Sequence, residues 1–199
     1  ISTILAQPIA HEPGTRFLYD AGCSYLLAAA LERVTEQRLV EYLRPRLWEP
    51  LSIGTAGAPP RWETCPRGVC VGGWGLELTL RELAAFGAAL LANETLPQGP
   101  VLPRGWAEEA GQPRVLLGGT LGGADAQGYG WHSWAGPYGS WRASGAFGQT
   151  CLVWPAQHLL VVLLGGLADD GPLLRAVWQL GGECSPGPLA ANPAGGAAD

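Results

Sequence analysis

Residues 12–35 read EPGTRFLYDAGCSYLLAAALERVT, and the interpretation of the whole chain starts from this stretch. The Pro13-Gly14 pair favours a tight turn, and the run from about Gly22 to about Thr35 predicts an amphipathic helix. One face of that helix is apolar, and we expect it to be buried. It consists of Leu26, Leu27, Ala30, Leu31 and Val34. Tyr19 lies just before the helix, either as a packing residue whose hydroxyl bonds the backbone or as the base of a catalytic site.

Helical periodicity continues downstream, and strand-like runs follow it. A second helix is bent or ended by Pro45, a third begins with the Thr79/Glu82 capping box, and a short one follows Pro103. Between the second and third helices, residues 54–73 are predicted to form a long surface loop, since they are rich in Pro and Gly. The predicted strands are 129–134, 140–143, 149–154 and 159–164, and a closing helix with Asp170 as N-cap is predicted at 172–180. Helices, then an antiparallel meander, then a helix predict an α+β fold with an antiparallel sheet flanked by helices.

Length and composition predict one domain over residues 1–180. At 47% hydrophobic and 15% charged residues the chain can build a core, while the Gly/Ala/Pro-rich residues 181–199 are expected to be a disordered tail. The sequence contains neither methionine nor lysine, since all its basic residues are arginines. From this and from the character of its first residues we expect the chain to be the C-terminal part of a longer protein, incomplete at its N-terminus.

Charge and cysteine usage argue against several classes of partner. The net charge is −5 and the arginines form no run, so no nucleic-acid partner is predicted, and no apolar stretch is long enough to span a membrane. No metal site and no cofactor are predicted, because the three histidines are scattered. Cys65 and Cys70 are either two loop thiols or, in an exported protein, a local disulfide. The odd number of five cysteines and the lack of a visible signal segment slightly favour the cytoplasm over export.

Common catalytic signatures are missing from the sequence. There is no G-x-S-x-G elbow and no G-x-G-x-x-G turn between a strand and a helix. Cys23 lies near a helix N-terminus, but no histidine base is near it in sequence, so a small buried thiol is the better interpretation. The remaining candidates for chemistry are Tyr19 and the run 142–149.

Five segments together resemble one hydrolase family. They are EPGTRFLYDAGCSYLLAAALERVT (12–35), EYLRPRLWEPLSI (41–53), GGWGLELTLRELAAFGAALL (72–91), YGWHSW (129–134) and RASGAFGQTCLVWP (142–155). In this order they are similar to the serine hydrolases that include class C β-lactamases, D-alanyl-D-alanine peptidases and related esterases. The resemblance implies a β-lactamase/transpeptidase-like fold and an acyl-enzyme reaction on a β-lactam, a peptide or an ester.

The resemblance assigns roles by position. Tyr19 matches the family's Tyr-x-Asn tyrosine and would be the general base, while Ala21 replaces the asparagine and leaves Asp20 as the nearest polar substitute. The Lys-Thr-Gly or His-x-Gly signature falls on residues 143–145. Ala143 replaces the cation there, while Ser144 and Gly145 would line the substrate site. The backbone N–H of Ala146 would form half of an oxyanion hole.

The family's S-x-x-K signature cannot occur in a chain without lysine. A phenol has an unperturbed pKa of about 10, so Tyr19 would need a cation beside it to act as a base near neutral pH. We therefore expect the nucleophile and its lysine to lie in the parent protein, and this chain alone to be inactive. The rival hypothesis is a non-catalytic binding or scaffolding domain. Ser144 and Gly145 also have structural interpretations, as a hydrogen-bonded strand residue and as part of a bulge.

Overall fold

The computed structural model describes residues 1–54, 58–92, 95–117 and 126–183. They fall into two units, one comprising residues 1–82 and the other starting at Leu83. Among the described residues, no helix combines the length and the apolar character needed to cross a bilayer. Most of the predicted tail, residues 184–199, lies outside the described residues.

The first unit is helical at its start. Its elements are α1 (Ser2–Leu5), α2 (Ala21–Thr35), α3 (Leu39–Leu43) and a π-helical turn (Arg44–Trp48). The Asp20 side chain caps the start of α2, and Glu36, which follows the helix, has left-handed backbone with φ 55°. The predicted first helix is thus confirmed, and the predicted bend at Pro45 is a π-helical turn.

The prediction of the buried face of α2 is wrong. Leu27, Leu31 and Val34 are exposed, whereas Ala28 is buried against Leu39 and Cys70. The buried face is made of small residues because a chain segment approaches it closely. A Cβ added at Gly72 would lie only 2.6 Å from the carbonyl oxygen of Ser24 and 2.9 Å from the Ala28 Cβ.

That segment belongs to the stretch predicted as a surface loop. Two isolated antiparallel bridges, Trp62 with Leu76 and Thr64 with Cys70, fold part of it into a hairpin. Cys70 and Val71 are buried, so the prediction of a surface loop is wrong for its C-terminal part. A local periodicity cannot show this, because the packing partners lie on α2, some forty residues earlier.

The second unit is built on a sheet. Helix α4 (Leu80–Ala92) begins at the end of the first unit, and α5 (Trp106–Gly111) and α6 (Gly171–Glu183) follow. Within the described residues, six strands form one antiparallel sheet in chain order. They are β1 (Val115–Leu116), β2 (Gly128–Tyr129), β3 (Trp134–Ala135), β4 (Trp141–Gly145), β5 (Gln149–Trp154) and β6 (Leu159–Leu164).

Side chains alternate between the two faces of the sheet, and helices pack against both faces. Trp141, Cys151 and Val153 form an apolar cluster with Leu90 of α4. Gly87 allows this close approach, because a Cβ there would lie 2.8 Å from the Cys151 Sγ. On the other face, α6 contributes a second cluster with the strands. Its buried members are Leu152, Trp154, Leu174, Val177 and Trp178.

The predicted strands at 149–154 and 159–164 are confirmed, and two other predictions are corrected. Residues 129–134 are not one strand, because a turn separates β2 from β3 and the Gly130 N–H donates to the Ser133 carbonyl. The closing helix extends to Glu183, so residues 181–183 are not part of a disordered tail. Asp170 is at the predicted N-cap position, because α6 begins at Gly171 and the Leu174 N–H donates to the Asp170 carbonyl. The carboxylate that accepts from the Gly171 N–H is that of Asp169.

Candidate active site

Tyr19 lies at the entrance of α2, where the sequence places it. Its side chain is 52% exposed, and the next residue, Asp20, is the N-cap of the helix. The Asp20 Oδ1 accepts a hydrogen bond from the Gly22 N–H at 2.8 Å, which fixes where the helix begins. The phenol is therefore presented on a backbone of defined conformation. Its role as a general base stays a prediction.

Asp20 has a structural role that the sequence interpretation missed. Its Oδ2 lies 4.0 Å from the Cys23 Sγ, within reach of a weak S–H donor, while Oδ1 caps the helix. Gly22 permits the tight cap, since a Cβ there would lie 3.0 Å from Oδ1. An Asp one residue before a helix was a sufficient signal for this capping role. The predicted contact of Asp20 with substrate would compete with the cap, and it stays a prediction.

Ser144, Gly145 and Ala146 lie together at the end of β4. Gly145 pairs with Gln149 at the start of β5, so residues 146–148 form a three-residue turn. Phe147 (φ 66°) and Gly148 (φ 83°) both have left-handed backbone. Ala146 is exposed, and the Phe147 ring is 66% exposed. The residue predicted to supply the oxyanion-binding N–H therefore belongs to an exposed, sharply turned segment.

The Ser144 hydroxyl has a partner within its own strand. It accepts a hydrogen bond from Arg142 Nε at 2.9 Å, and the Arg142 guanidinium lies 5.2 Å from the centre of the Trp178 ring. Arg142 is only 2% exposed, a burial that the sequence did not predict. Ser144 therefore shares the α6 side of the sheet with Arg142, which supports the structural interpretation of its hydroxyl. Its contact with substrate stays a prediction.

Ala143, which the sequence resemblance matches to the family's lysine or histidine, lies on the opposite face. It is half-buried and packs against the cluster that contains Trp141, Cys151 and Leu90. These neighbours are apolar, so the chain has neither the cation nor a polar setting for one at this position. Tyr19 and Asp20 belong to the first unit, whereas Ala143, Ser144, Gly145 and Ala146 belong to the second.

A polar pair outside these residues was also missed. The Tyr25 hydroxyl donates to the Cys65 sulfur, and this hydrogen bond lowers the pKa of the Cys65 thiol. Backbone N–H groups of Arg67 and Val69 act in the same direction. Among the described residues, Cys65 and Cys70 are both free thiols. Because Tyr25 is forty residues away from Cys65 in sequence, no local motif could have indicated the pair.

Two of the other thiols, those of Cys70 and Cys151, are less reactive because they are buried. Burial raises the pKa of the Cys70 thiol, and it raises the pKa of Cys151 to about 12. Cys23 is exposed, so the prediction that it is buried is wrong. Within the part of the chain that the structure describes, no group of three His, Cys, Asp or Glu side chains could hold a metal ion.

Two of the comparisons with known proteins gave matches. The protein-family model described as Beta-lactamase matches residues 1–173. Among solved structures, the fold is similar to that of a "Putative 6-aminohexanoate-dimer hydrolase" from Bacillus anthracis, with a TM-score of 0.71 and 22% identity over 86% of this chain. It is also similar to a beta-lactamase from Mycobacterium bovis, with a TM-score of 0.65 and 20% identity over 86% of this chain.

A third similar structure is the octameric penicillin-binding protein homologue from Pyrococcus abyssi, with a TM-score of 0.59 and 17% identity over 86% of this chain. A search of the curated proteins gave no match. The chain spans 44% of the Bacillus protein, 66% of the Mycobacterium protein and 43% of the Pyrococcus protein. At these identities the likeness shows the fold, which is the β-lactamase/transpeptidase-like arrangement of an antiparallel sheet with helices.

Proposed function

The chain belongs to the beta-lactamase family, and we propose that it is the C-terminal part of a serine hydrolase that cleaves an ester or an amide through an acyl-enzyme. The observation that carries the proposal is the placement of Tyr19. It is an exposed phenol next to the capped start of α2, and the sequence resemblance matches it to the family's tyrosine. The substrate class is a β-lactam, a peptide or an ester, since one acyl-transfer chemistry serves all three.

In this proposal the chain supplies a proton acceptor and one oxyanion-binding N–H. Tyr19 takes the proton from the hydroxyl of a serine outside these 199 residues as that oxygen attacks the carbonyl carbon. The tetrahedral oxyanion is stabilised by the backbone N–H of Ala146 together with the N–H of the serine itself. Collapse of the intermediate expels the leaving group, which takes up the proton from Tyr19. The tyrosine then activates the water that hydrolyses the ester bond to the enzyme.

The missing cation decides what the chain can do by itself. A neutral phenol with a pKa of about 10 is a poor base at pH 7, and a lysine next to it would stabilise the phenolate. The chain has no lysine, and in this proposal the serine of the S-x-x-K pair and its lysine come from the rest of the parent protein. We expect the 199-residue chain alone to hydrolyse a chromogenic ester no faster than buffer does.

A second candidate is a non-catalytic binding or scaffolding domain with the same fold. Two observations favour it. Ala21, at the position of the family's asparagine, is the first residue of α2, and Ala143 packs in the apolar cluster beneath α4. Such a protein would keep the fold and bind its ligand without forming an acyl-enzyme.

The test uses the protein encoded by the complete reading frame. If that protein has a serine followed three residues later by lysine, mass spectrometry after exposure to a chromogenic ester or β-lactam should detect an acyl adduct on the serine. The Tyr19→Phe variant should lower kcat at least about 100-fold. Tyr138→Phe is the matched control, because Tyr138 is 38% exposed and has no assigned role. A complete protein without the serine-lysine pair, or a Tyr19→Phe variant with unchanged kcat, would favour the binding domain.

A further inference from the structure

Three hydrogen bonds connect residues 147–149, which comprise the end of the turn after β4 and the first residue of β5, to the segment that follows β6. The Gly165 N–H donates to the Gly148 carbonyl and the Leu167 N–H donates to the Phe147 carbonyl, each at 3.1 Å. The third bond comes from a side chain, because Gln149 Nε2 donates to the Gly165 carbonyl at 2.7 Å. The turn is therefore held from outside the β4–β5 hairpin, and one of the three bonds can be removed by substitution.

Gly165 makes this contact sterically possible. A Cβ at Gly165 would lie 2.9 Å from the Phe147 carbonyl oxygen and 3.2 Å from that of Gly148. The turn itself needs support, because Phe147 has a left-handed backbone that a residue with a Cβ adopts at a cost. Its ring is mostly exposed and contributes little burial to offset that cost. The backbone bonds from residues 165 and 167 support the conformation of the turn, in addition to the pairing of Gly145 with Gln149.

We propose that Gln149 is a positioning residue, whose amide holds Gly165 and through it the turn that carries the Ala146 N–H. The inference rests on the proposed function, since orientation of that N–H matters only if an oxyanion forms there. Oxyanion stabilisation depends on donor direction, and a donor that is free to move loses part of its effect on kcat. The effect on KM is small, because the ground-state substrate carries less charge on that oxygen.

The substitution Gln149→Glu tests the contact with little change in shape. At pH 7 its carboxylate cannot donate to the Gly165 carbonyl, whereas the protonated acid can donate again below about pH 4. Gln149→Leu removes the donor without adding charge, and it keeps the test valid if the Glu variant folds poorly. Gln112→Glu is the matched control, since Gln112 is exposed in a loop of the same unit.

The first measurement needs no activity and uses the 199-residue chain. Hydrogen–deuterium exchange of the Gly165 and Leu167 amides should be at least about 10-fold faster in both Gln149 variants than in the wild type and in Gln112→Glu. The exchange rate of Gln149→Glu should approach that of the wild type, measured at the same pH, when the pH falls below 4. Equal exchange rates in all four proteins at pH 7 would overturn the proposal, whatever the activity.

The second measurement uses the complete parent protein. Both Gln149 variants should lower kcat about 10-fold and leave KM within about 2-fold of the wild type. Faster exchange with unchanged kcat would overturn the positioning role. If the wild-type parent itself shows no hydrolysis and no acyl adduct, the proposed function fails and the catalytic role of Gln149 fails with it, while the exchange rates still show whether the bond holds the turn.

Discussion

The carboxylate of Glu82 gives the sharpest test of the structure, because it accepts hydrogen bonds from two separate segments. Its Oε2 accepts from the Thr79 N–H at 2.7 Å and from the Thr79 hydroxyl at 2.8 Å. Its Oε1 accepts from the Gly54 N–H at 2.7 Å, and that bond is partly buried. The capping box predicted from Thr79 and Glu82 is therefore confirmed, and it also fixes the end of the segment that follows the π-helical turn.

The loss of stability expected for Glu82→Ala is the sum of the losses at these two contacts. Loss of the capping interaction at Thr79 costs about 1 kcal/mol, since water can replace the carboxylate at this exposed site. Loss of the acceptor for the partly buried Gly54 N–H costs about 1–2 kcal/mol. Glu82→Ala should therefore destabilise the chain by about 2–3 kcal/mol, or lower the Tm by about 4–12 °C for a chain of this size. Glu82→Gln keeps one acceptor oxygen and should lose about half as much.

The pH dependence has a definite sign. Hydrogen bonds from the backbone of Thr79 and then of Gly54 lower the pKa of Glu82 in the folded state. A carboxyl whose folded pKa is lowered contributes stability that is complete above its unfolded pKa of about 4.3 and is lost as the pH falls through the folded value. The difference in stability between wild type and Glu82→Gln should thus be constant between pH 7 and about pH 5 and should shrink below that.

Urea unfolding followed by circular dichroism at several pH values measures these differences. Glu77→Gln is the control, because the Glu77 side chain forms an exposed ion pair with Arg61, at 3.1 Å, which should contribute less than about 1 kcal/mol. The reasoning is refuted if Glu82→Ala lowers the Tm by less than 1 °C. It is equally refuted if the difference between wild type and Glu82→Gln widens below pH 4.

Two further predictions concern the second and the first unit in turn. Gly181→Ala should lower the free energy of unfolding by about 1–2 kcal/mol. The added Cβ would lie 2.8 Å from Cε2 of the fully buried Trp154 ring. The cost of this overlap exceeds the gain of about 1 kcal/mol in helix propensity. Thermal unfolding checks it against Gly166→Ala, whose Cβ would have no neighbour within 4 Å, and an unchanged or higher Tm for Gly181→Ala would contradict it. Alkylation of Cys65 by iodoacetamide should be half-maximal at a lower pH in the wild type than in Tyr25→Phe, because the Tyr25 hydroxyl stabilises the thiolate. Coinciding pH profiles, measured by peptide mass spectrometry, would show that Tyr25 does not act on the thiol.

The elements that could be predicted from sequence are those with local signals. Helix α4 is predicted by the Thr79/Glu82 box, and strands β5 and β6 by short apolar runs between turn residues. Residues 129–134 were predicted as one strand-like run. The turn between β2 and β3 depends instead on pairing with neighbours that only the folded sheet supplies.

In the candidate site too, features with a local sequence signal could be predicted and features that depend on distant contacts could not. The position of Tyr19 before a helix is a local property, and the sequence predicts it correctly. The buried face of α2 was predicted wrongly because large apolar residues dominate a periodicity, whereas close approach by Gly72 requires small ones. The pair formed by Tyr25 and Cys65 depends on a long-range contact, and no spacing rule could indicate it.

Strand β6 has a consequence for handling the protein. Its sequence, LLVVLL, contains no charge, no proline and no glycine, and it is the last strand of the described sheet. Natural sheets usually interrupt such an edge with a charged side chain, a proline or a bulge, because an uninterrupted apolar edge pairs with other chains. We therefore expect aggregation at high concentration to depend on edge-to-edge pairing of β6 strands more than on the net charge of −5. A lysine placed in the middle of this strand would be the first change to try when the isolated chain precipitates.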